Sequence, residues 1–225
     1  KIVFMGTPEF SIPTLKILKQ SKHKIVCVYT QPPRKKSRGQ KLLKTAVHVF
    51  SENEGLRVNT NNLKNENEYK NFMELNPDIV VVVAYGQIIP DIYLKNPHLI
   101  FLNLHASLLP KWRGAAPIER AILNKDKETG ISVMKIEKKL DAGPFIKQET
   151  VKINKETTSG ELNKKLSVLG AKVLMDSIEL IFSSKVNYKQ QNEKNATYAK
   201  KINKIETRIN WNDKAENIIA KINAF

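Results

Sequence analysis

Cysteine is almost absent from this 225-residue sequence, in which Cys27 stands alone. One thiol closes no intramolecular disulfide and builds no cysteine cluster for structural zinc. A small secreted scaffold is therefore excluded, and a reducing compartment is implied: the cytoplasm or, in a eukaryote, an organellar matrix. Long hydrophobic runs are also missing. None approaches the roughly 18 residues that a membrane-spanning helix requires, and Lys1-Ile2-Val3-Phe4-Met5 turns at once into Gly-Thr-Pro, unlike a signal peptide. No membrane partner is expected. Gly6 is followed by Thr-Pro-Glu-Phe, and neither a G-x-G-x-x-G fingerprint nor a phosphate loop occurs, so neither NAD nor ATP is expected as a cofactor. The histidines at 23, 48, 98 and 105 lack metal-ligand spacing, and no serine sits in a G-x-S-x-G elbow, so no metal is expected either.

Acidic residues are the minority, 22 against 38 basic, for a net charge of +16. That surplus points to a polyanionic partner, nucleic acid first. Only six of the basic residues are arginine, and biased codon usage gives the same lysine-rich look, so the place of the charge matters more than its total. Residues 1–33 hold five basic side chains and one acid, residues 34–44 six and none, residues 45–184 18 and 17, and residues 185–225 nine and four. The bulk of the chain is nearly neutral, with positive charge gathered in one loop and in the tail.

The length suits one large domain, or one domain and part of another. Ile2–Met5 reads as a buried strand ending in a turn, Ser11–Gln20 as a helix with Ile12, Leu15 and Leu18 on one stripe, and Lys24–Thr30 as a β-branched strand. After a basic loop, helices are predicted at Thr45–Glu54 and Glu66–Leu75, with a short strand at Arg57–Asn59. Asp78–Ala84 (DIVVVVA) is continuous and apolar, as a strand covered on both faces must be. Leu99–His105 is another strand and Ala115–Leu123 a helix. Strands alternating with helices indicate a parallel sheet covered on both faces. Ile131–Glu137 and Phe145–Ile153 form a hairpin-like, antiparallel return through Leu140-Asp141-Ala142-Gly143-Pro144. Thr158 and Glu161 make a capping box that opens a long helix with a stripe through Leu162, Leu166, Leu169, Val173 and Ile181. From Lys185 onward the apolar periodicity fades, as in a linker. Helical spacing returns at Ala215–Phe225, and a chain that starts without methionine and stops mid-helix reads as a trimmed fragment.

Candidate chemistry gathers at 100–105. In Ile100-Phe101-Leu102-Asn103-Leu104-His105, alternation puts Asn103 and His105 on one face near the strand's carboxyl end, where open α/β sheets bind ligands. A loop dense in special-geometry residues follows, from Ala106 to Pro117, and an acid, Asp141, sits in a turn about 35 residues on.

NLHASLLPKWRGAAPIERAI followed by LDAGP resembles the 10-formyltetrahydrofolate-dependent formyltransferases. The resemblance covers nearly the whole chain, since FMGTPEF, TQPPRKKSRGQKL, DIVVVVAYGQIIP, ETGISVMKIEKKLDAGP and TYAKKI all fall in family order. It implies a Rossmann-like α/β fold: an open, mostly parallel twisted sheet with helices on both faces and antiparallel edge strands. It implies 10-formyltetrahydrofolate as co-substrate and Asn103, His105 and Asp141 as the catalytic residues. Ser107, Leu108, Leu109 and Pro110 would hold the folate, whose pterin would enter a pocket bounded by Tyr85, Gly86, Gln87, Ile88 and neighbouring Ile89, and by Leu140 beside Asp141. RGAAPI and the basic insertion after TQP are features of the branch that formylates initiator methionyl-tRNA. Arg34, Lys35, Lys36, Arg38 and Lys41 of that insertion would then meet the tRNA, and Phe10 would help hold the methionine side chain or serve as a plain packing residue. Pro33 and Lys35 depart from the commonest wording of the insertion. Alternatives are a family member acting on a small amine, glycinamide ribonucleotide or an aminosugar nucleotide, and a non-catalytic RNA-binding relative. The expected organisation is a catalytic domain at 1–184, then, at 185–225, a linker and the start of a carboxyl-terminal tRNA-binding barrel. A monomer is expected.

Overall fold

The computed structural model describes residues 1–36 and 41–225. The chain divides into two compact units, 1–104 and 105–225. The first opens with strand β1 (Ile2–Gly6), a 3-10 turn at Glu9–Ser11, helix α1 (Ile12–Gln20) and strand β2 (Ile25–Tyr29). Two short strands, β3 (Arg34–Lys36) and β4 (Lys41–Leu43), pair antiparallel with Arg34 opposite Leu43, so the segment expected to be a loop has strands on both sides of it. Strand pairing uses only the backbone, and an exposed pair can carry lysine and arginine without showing an apolar pattern.

Helix α2 (Ala46–Asn53) starts at Thr45, whose hydroxyl accepts from the His48 N–H. Strand β5 (Val58–Asn59), helix α3 (Glu66–Glu74), strand β6 (Ile79–Val83), helix α4 (Asp91–Leu94) and strand β7 (Ile100–His105) follow. The strands of this unit are parallel in the order β7-β6-β1-β2-β5, with register pairs such as Phe4 opposite Val81 and Val81 opposite Leu102. All five residues of β1 and of β6 are buried, each large side chain contributing about 1.5–3 kcal/mol. Buried Glu68 on α3 accepts from the Tyr29 hydroxyl at 2.6 Å and from the Asn59 and Asn61 amides at 2.7 Å each, which ties α3 to β2, β5 and the turn after β5. Cys27 is part of this core. Burial pushes its thiol up to about 11, as suits an inert core side chain.

The second unit contains strand β8 (Arg113–Gly114), helix α5 (Pro117–Leu123) and the antiparallel strands β9 (Glu128–Lys135) and β10 (Phe145–Lys152). Helix α6 (Ser159–Phe182) carries the expected capping box, with the Thr158 hydroxyl accepting from Glu161 N–H and the Glu161 carboxylate accepting from Thr158 N–H. Its buried face runs through Leu162, Leu166, Gly170, Val173, Leu174 and Ile178, while Leu169 and Ile181 sit at the edges. The polar tail, which reads as a linker, forms strand β11 (Tyr198–Ala199) parallel to β8, and ends in helix α7 (Ala215–Ala224). Polar groups fasten it, and they leave no periodic trace in a sequence. The fold class is the expected one: α/β, an open and mostly parallel sheet with helices and an antiparallel edge pair. Among the described residues, no helix is long and apolar enough to cross a membrane.

Candidate active site

Strand β7 carries Asn103 and His105 two residues apart, on one face as the pleat requires, with Asn103 half-buried and His105 buried. The His105 ring is bracketed by two oxygens. Its Nε2 lies 2.8 Å from the Trp112 carbonyl oxygen, and its Nδ1 lies 3.8 Å from Asp141 Oδ2. A carbonyl only accepts, so Nε2 carries the proton and the tautomer is set by the Trp112 backbone. A second proton, on Nδ1, would place positive charge beside the Asp141 carboxylate.

The loop after β7 delivers that carbonyl because it is tied along its length. The Ser107 hydroxyl donates to Lys111 O at 2.6 Å, and buried Ser132 of β9 donates to Ser107 O at 2.6 Å while accepting from Leu109 N–H at 3.0 Å. Gln148 of β10 donates to Leu109 O and to Ser132 Oγ. Leu109 is buried, Leu108 and Pro110 are half-buried, and the Leu109–Pro110 peptide is cis. Trp112 has φ +60° and its indole donates to Asp126 at 2.7 Å. At Gly114, φ is +116° and a Cβ would stand 2.8 Å from Ala199 O, so only glycine fits beside β11. The Gly114 N–H donates to Asp141 Oδ2 at 2.8 Å, which fixes the carboxylate facing His105. Asp141 itself has φ +47°, a conformation aspartate tolerates better than most residues, and neighbouring Leu140 is exposed.

The remaining expected contacts lie in the first unit. Tyr85 is buried, its backbone oxygen accepting from the Thr7 hydroxyl at 2.7 Å, and Gly86 leaves β6 with φ +77°. The Gln31 amide donates to Tyr85 O and Gly86 O, and the φ of +77° at Gly86 is what favours glycine at this exit. Gln31 also accepts from the Arg34 guanidinium, which ties the root of the basic hairpin to the end of β6. Gln87 is half-buried, Ile88 is 84% exposed and Phe10 is buried. Ile88 is thus not a core side chain. Arg34 and Lys35 are exposed; Lys36 and Lys41 lie in the paired strands; Arg38 lies outside the described residues. Among the described residues, no group of three His, Cys, Asp or Glu side chains could hold a metal ion.

Sequence reasoning missed Ser132 and Gln148, which brace the 107–110 loop, and Arg113, a guanidinium with no exposed surface. Arginine is almost never fully buried without partners, so its place inside RGAAPI was the available signal.

Residues 1–178 match the family model described as formyl transferase. The chain belongs to the formyl transferase family. Over 225 residues it is 49% identical to the methionyl-tRNA formyltransferase of Pelagibacter ubique (strain HTCC1062), covering 99% of this chain and 73% of that one. The methionyl-tRNA formyltransferase of Coxiella burnetii (strain CbuK_Q154) is 43% identical over 226 residues, covering 100% and 72%. In fold the chain is similar to an N-formyltransferase from Helicobacter canadensis, with a TM-score of 0.77 at 23% identity, over 100% of this chain and 80% of that one.

Proposed function

We propose that this chain transfers the formyl group of 10-formyltetrahydrofolate to the α-amino group of methionine esterified to initiator tRNA, the step that readies the initiator for translation. The observation that carries this reading is near-half identity, over the whole chain, to a relative named for that reaction. The family supports folate as the co-substrate.

The roles follow from the chemistry. As the amine attacks, the formyl carbon becomes tetrahedral and its oxygen gains negative charge. The Asn103 amide and a cationic His105 are donors for that oxygen, and one such donor accounts for roughly 10²–10³ in rate. The incoming nitrogen loses a proton and the folate nitrogen gains one. His105 holds or passes that proton, with Asp141 stabilising the imidazolium across 3.8 Å. An α-amino group titrates near 8, and the ester beside it lowers that value, so positioning and charge stabilisation outweigh base strength.

Folate contact is assigned to Ser107, Leu108, Leu109, Pro110 and Leu140 in the second unit and to Tyr85, Gly86, Gln87 and Ile88 in the first, on the family resemblance of their motifs. Arg34, Lys35, Lys36, Arg38 and Lys41 meet the tRNA, where six cations without an acid between 34 and 44 favour phosphate. Phe10 holds the methionine side chain. Residues 1–184 act as the catalytic domain and 185–225 lead toward further tRNA-binding structure, in a monomer of the cytoplasm.

The test supplies full-length protein and 10-formyltetrahydrofolate with methionyl-tRNA, glycinamide ribonucleotide and an aminosugar nucleotide side by side. Formylation of methionyl-tRNA is expected, with Arg38→Ala lowering kcat/KM for tRNA while folate binding holds. Transfer to a small amine alone would overturn the reading, and absence of any transfer would identify a binding protein.

A further inference from the structure

The turn that presents Asp141 is held from the tail. Gln191 donates through its Nε2 to Asp141 O at 2.8 Å and to Gly143 O at 2.7 Å. Its Oε1 accepts from Arg113 Nε at 3.0 Å and Nη2 at 2.8 Å. All four hydrogen-bonding capacities of the amide are therefore used. Arginine has only donors, so Arg113 forces Oε1 toward itself and turns the NH₂ group toward the two carbonyls. Arg113 is itself fixed by complete burial and by Glu193, which accepts from Nη2 at 2.8 Å and Nη1 at 3.2 Å. Glu193 also accepts from Lys139 at 2.5 Å, two residues before Asp141. A two-residue step of the tail, 191 to 193, thus grips the same turn at positions 139, 141 and 143.

That turn needs an external hold. Asp141 stands at φ +47°, and a Cβ on Gly143 would meet Lys135 O at 1.9 Å, so the backbone is crowded and constrained just where the carboxylate is aimed. We infer that Gln191, oriented by Arg113, is a positioning residue for Asp141: the polar tail completes the catalytic turn and does not merely pass it. The inference rests on the proposed role of Asp141 and adds a residue that none of the motifs contains.

Gln191→Glu separates the two halves of the amide. It keeps an oxygen for Arg113 and replaces the NH₂ donor by an oxygen facing two carbonyl oxygens. In full-length protein the expected result is a fall in kcat of tenfold or more with the folate KM within twofold. Amide hydrogen exchange at 140–143 should quicken, the His105 ring nitrogen-15 signals should move, and the unfolding temperature should stay within a few degrees. Gln191→Met, equal in length and uncharged, is the second variant and is read in the same way should Gln191→Glu not fold. If both variants keep kcat within twofold while Asp141→Asn loses activity in the same assay, the inference is overturned. So is it if activity falls only in step with the unfolding temperature. If Asp141→Asn is itself fully active, the assigned role of Asp141 fails first and the inference falls with it, an outcome distinct from the others.

Discussion

Replacing Asp141 by asparagine isolates the charge that faces His105. The Asp141 Oδ2 to His105 Nδ1 separation is 3.8 Å, and the two side chains are only 14% and 7% exposed. At an effective dielectric constant near 20, opposite unit charges at that distance attract by about 4 kcal/mol. Asparagine keeps an oxygen to accept from Gly114 N–H, now at 2.8 Å, and it tolerates the φ of +47° as well as aspartate does. The turn should persist while its charge is lost. If that attraction is felt fully in the transition state, turnover falls by about three powers of ten, and if half is felt, by about 30-fold. The assay is single-turnover formyl transfer with saturating folate and methionyl-tRNA, accompanied by thermal unfolding. A loss below tenfold, or one matched by a large fall in unfolding temperature, would refute the electrostatic role.

Three further outcomes follow from the second unit. Gly143→Ala, with its Cβ 1.9 Å from Lys135 O, should destabilise by about 3 kcal/mol, read as a lower denaturant midpoint at unchanged slope. Arg113 and then Lys139 hold the Glu193 carboxyl down to about 2 from its ordinary 4.5. A carboxyl lowered on folding stabilises the protein above pH 4.5 and loses that contribution as pH falls from 4.5 toward 2. Acid titration of stability should therefore steepen in that window, and Glu193→Gln should flatten it. Thr158→Ala should cost about 1 kcal/mol by removing half of the capping box of α6, and circular dichroism on heating measures it.

How much was readable depended on whether the deciding interaction leaves a pattern. The apolar run at 79–83 could only be a covered strand, and Thr158 with Glu161 announced the start of α6. The buried face of α6 was harder, because Ser167, Gly170, Ala171 and Ser177 lie on it and small residues do not stand out as a stripe. The pair β3–β4 was hidden by charge, since its ladder is backbone and Arg34, Lys35, Leu42 and Leu43 are exposed. At the site, alternation in β7 placed Asn103 and His105 on one face, and the turn at 140–144 supplied the acid. The tautomer was not readable. The Trp112 carbonyl sets it, and a backbone partner leaves no mark in the sequence. Gln191 was equally silent, since its importance lies in Arg113 turning it, a contact spanning 78 positions.

The fate of the formyl group decides the assignment. The direct measurement follows an isotopically labelled formyl group from 10-formyltetrahydrofolate, in a single turnover of the full-length protein with charged initiator tRNA, then releases the amino acid by mild base. Labelled N-formylmethionine is expected, one per labelled folate supplied, and formed far more slowly by Asp141→Asn. Label that stays on folate with methionyl-tRNA but passes to a small amine would overturn the assignment.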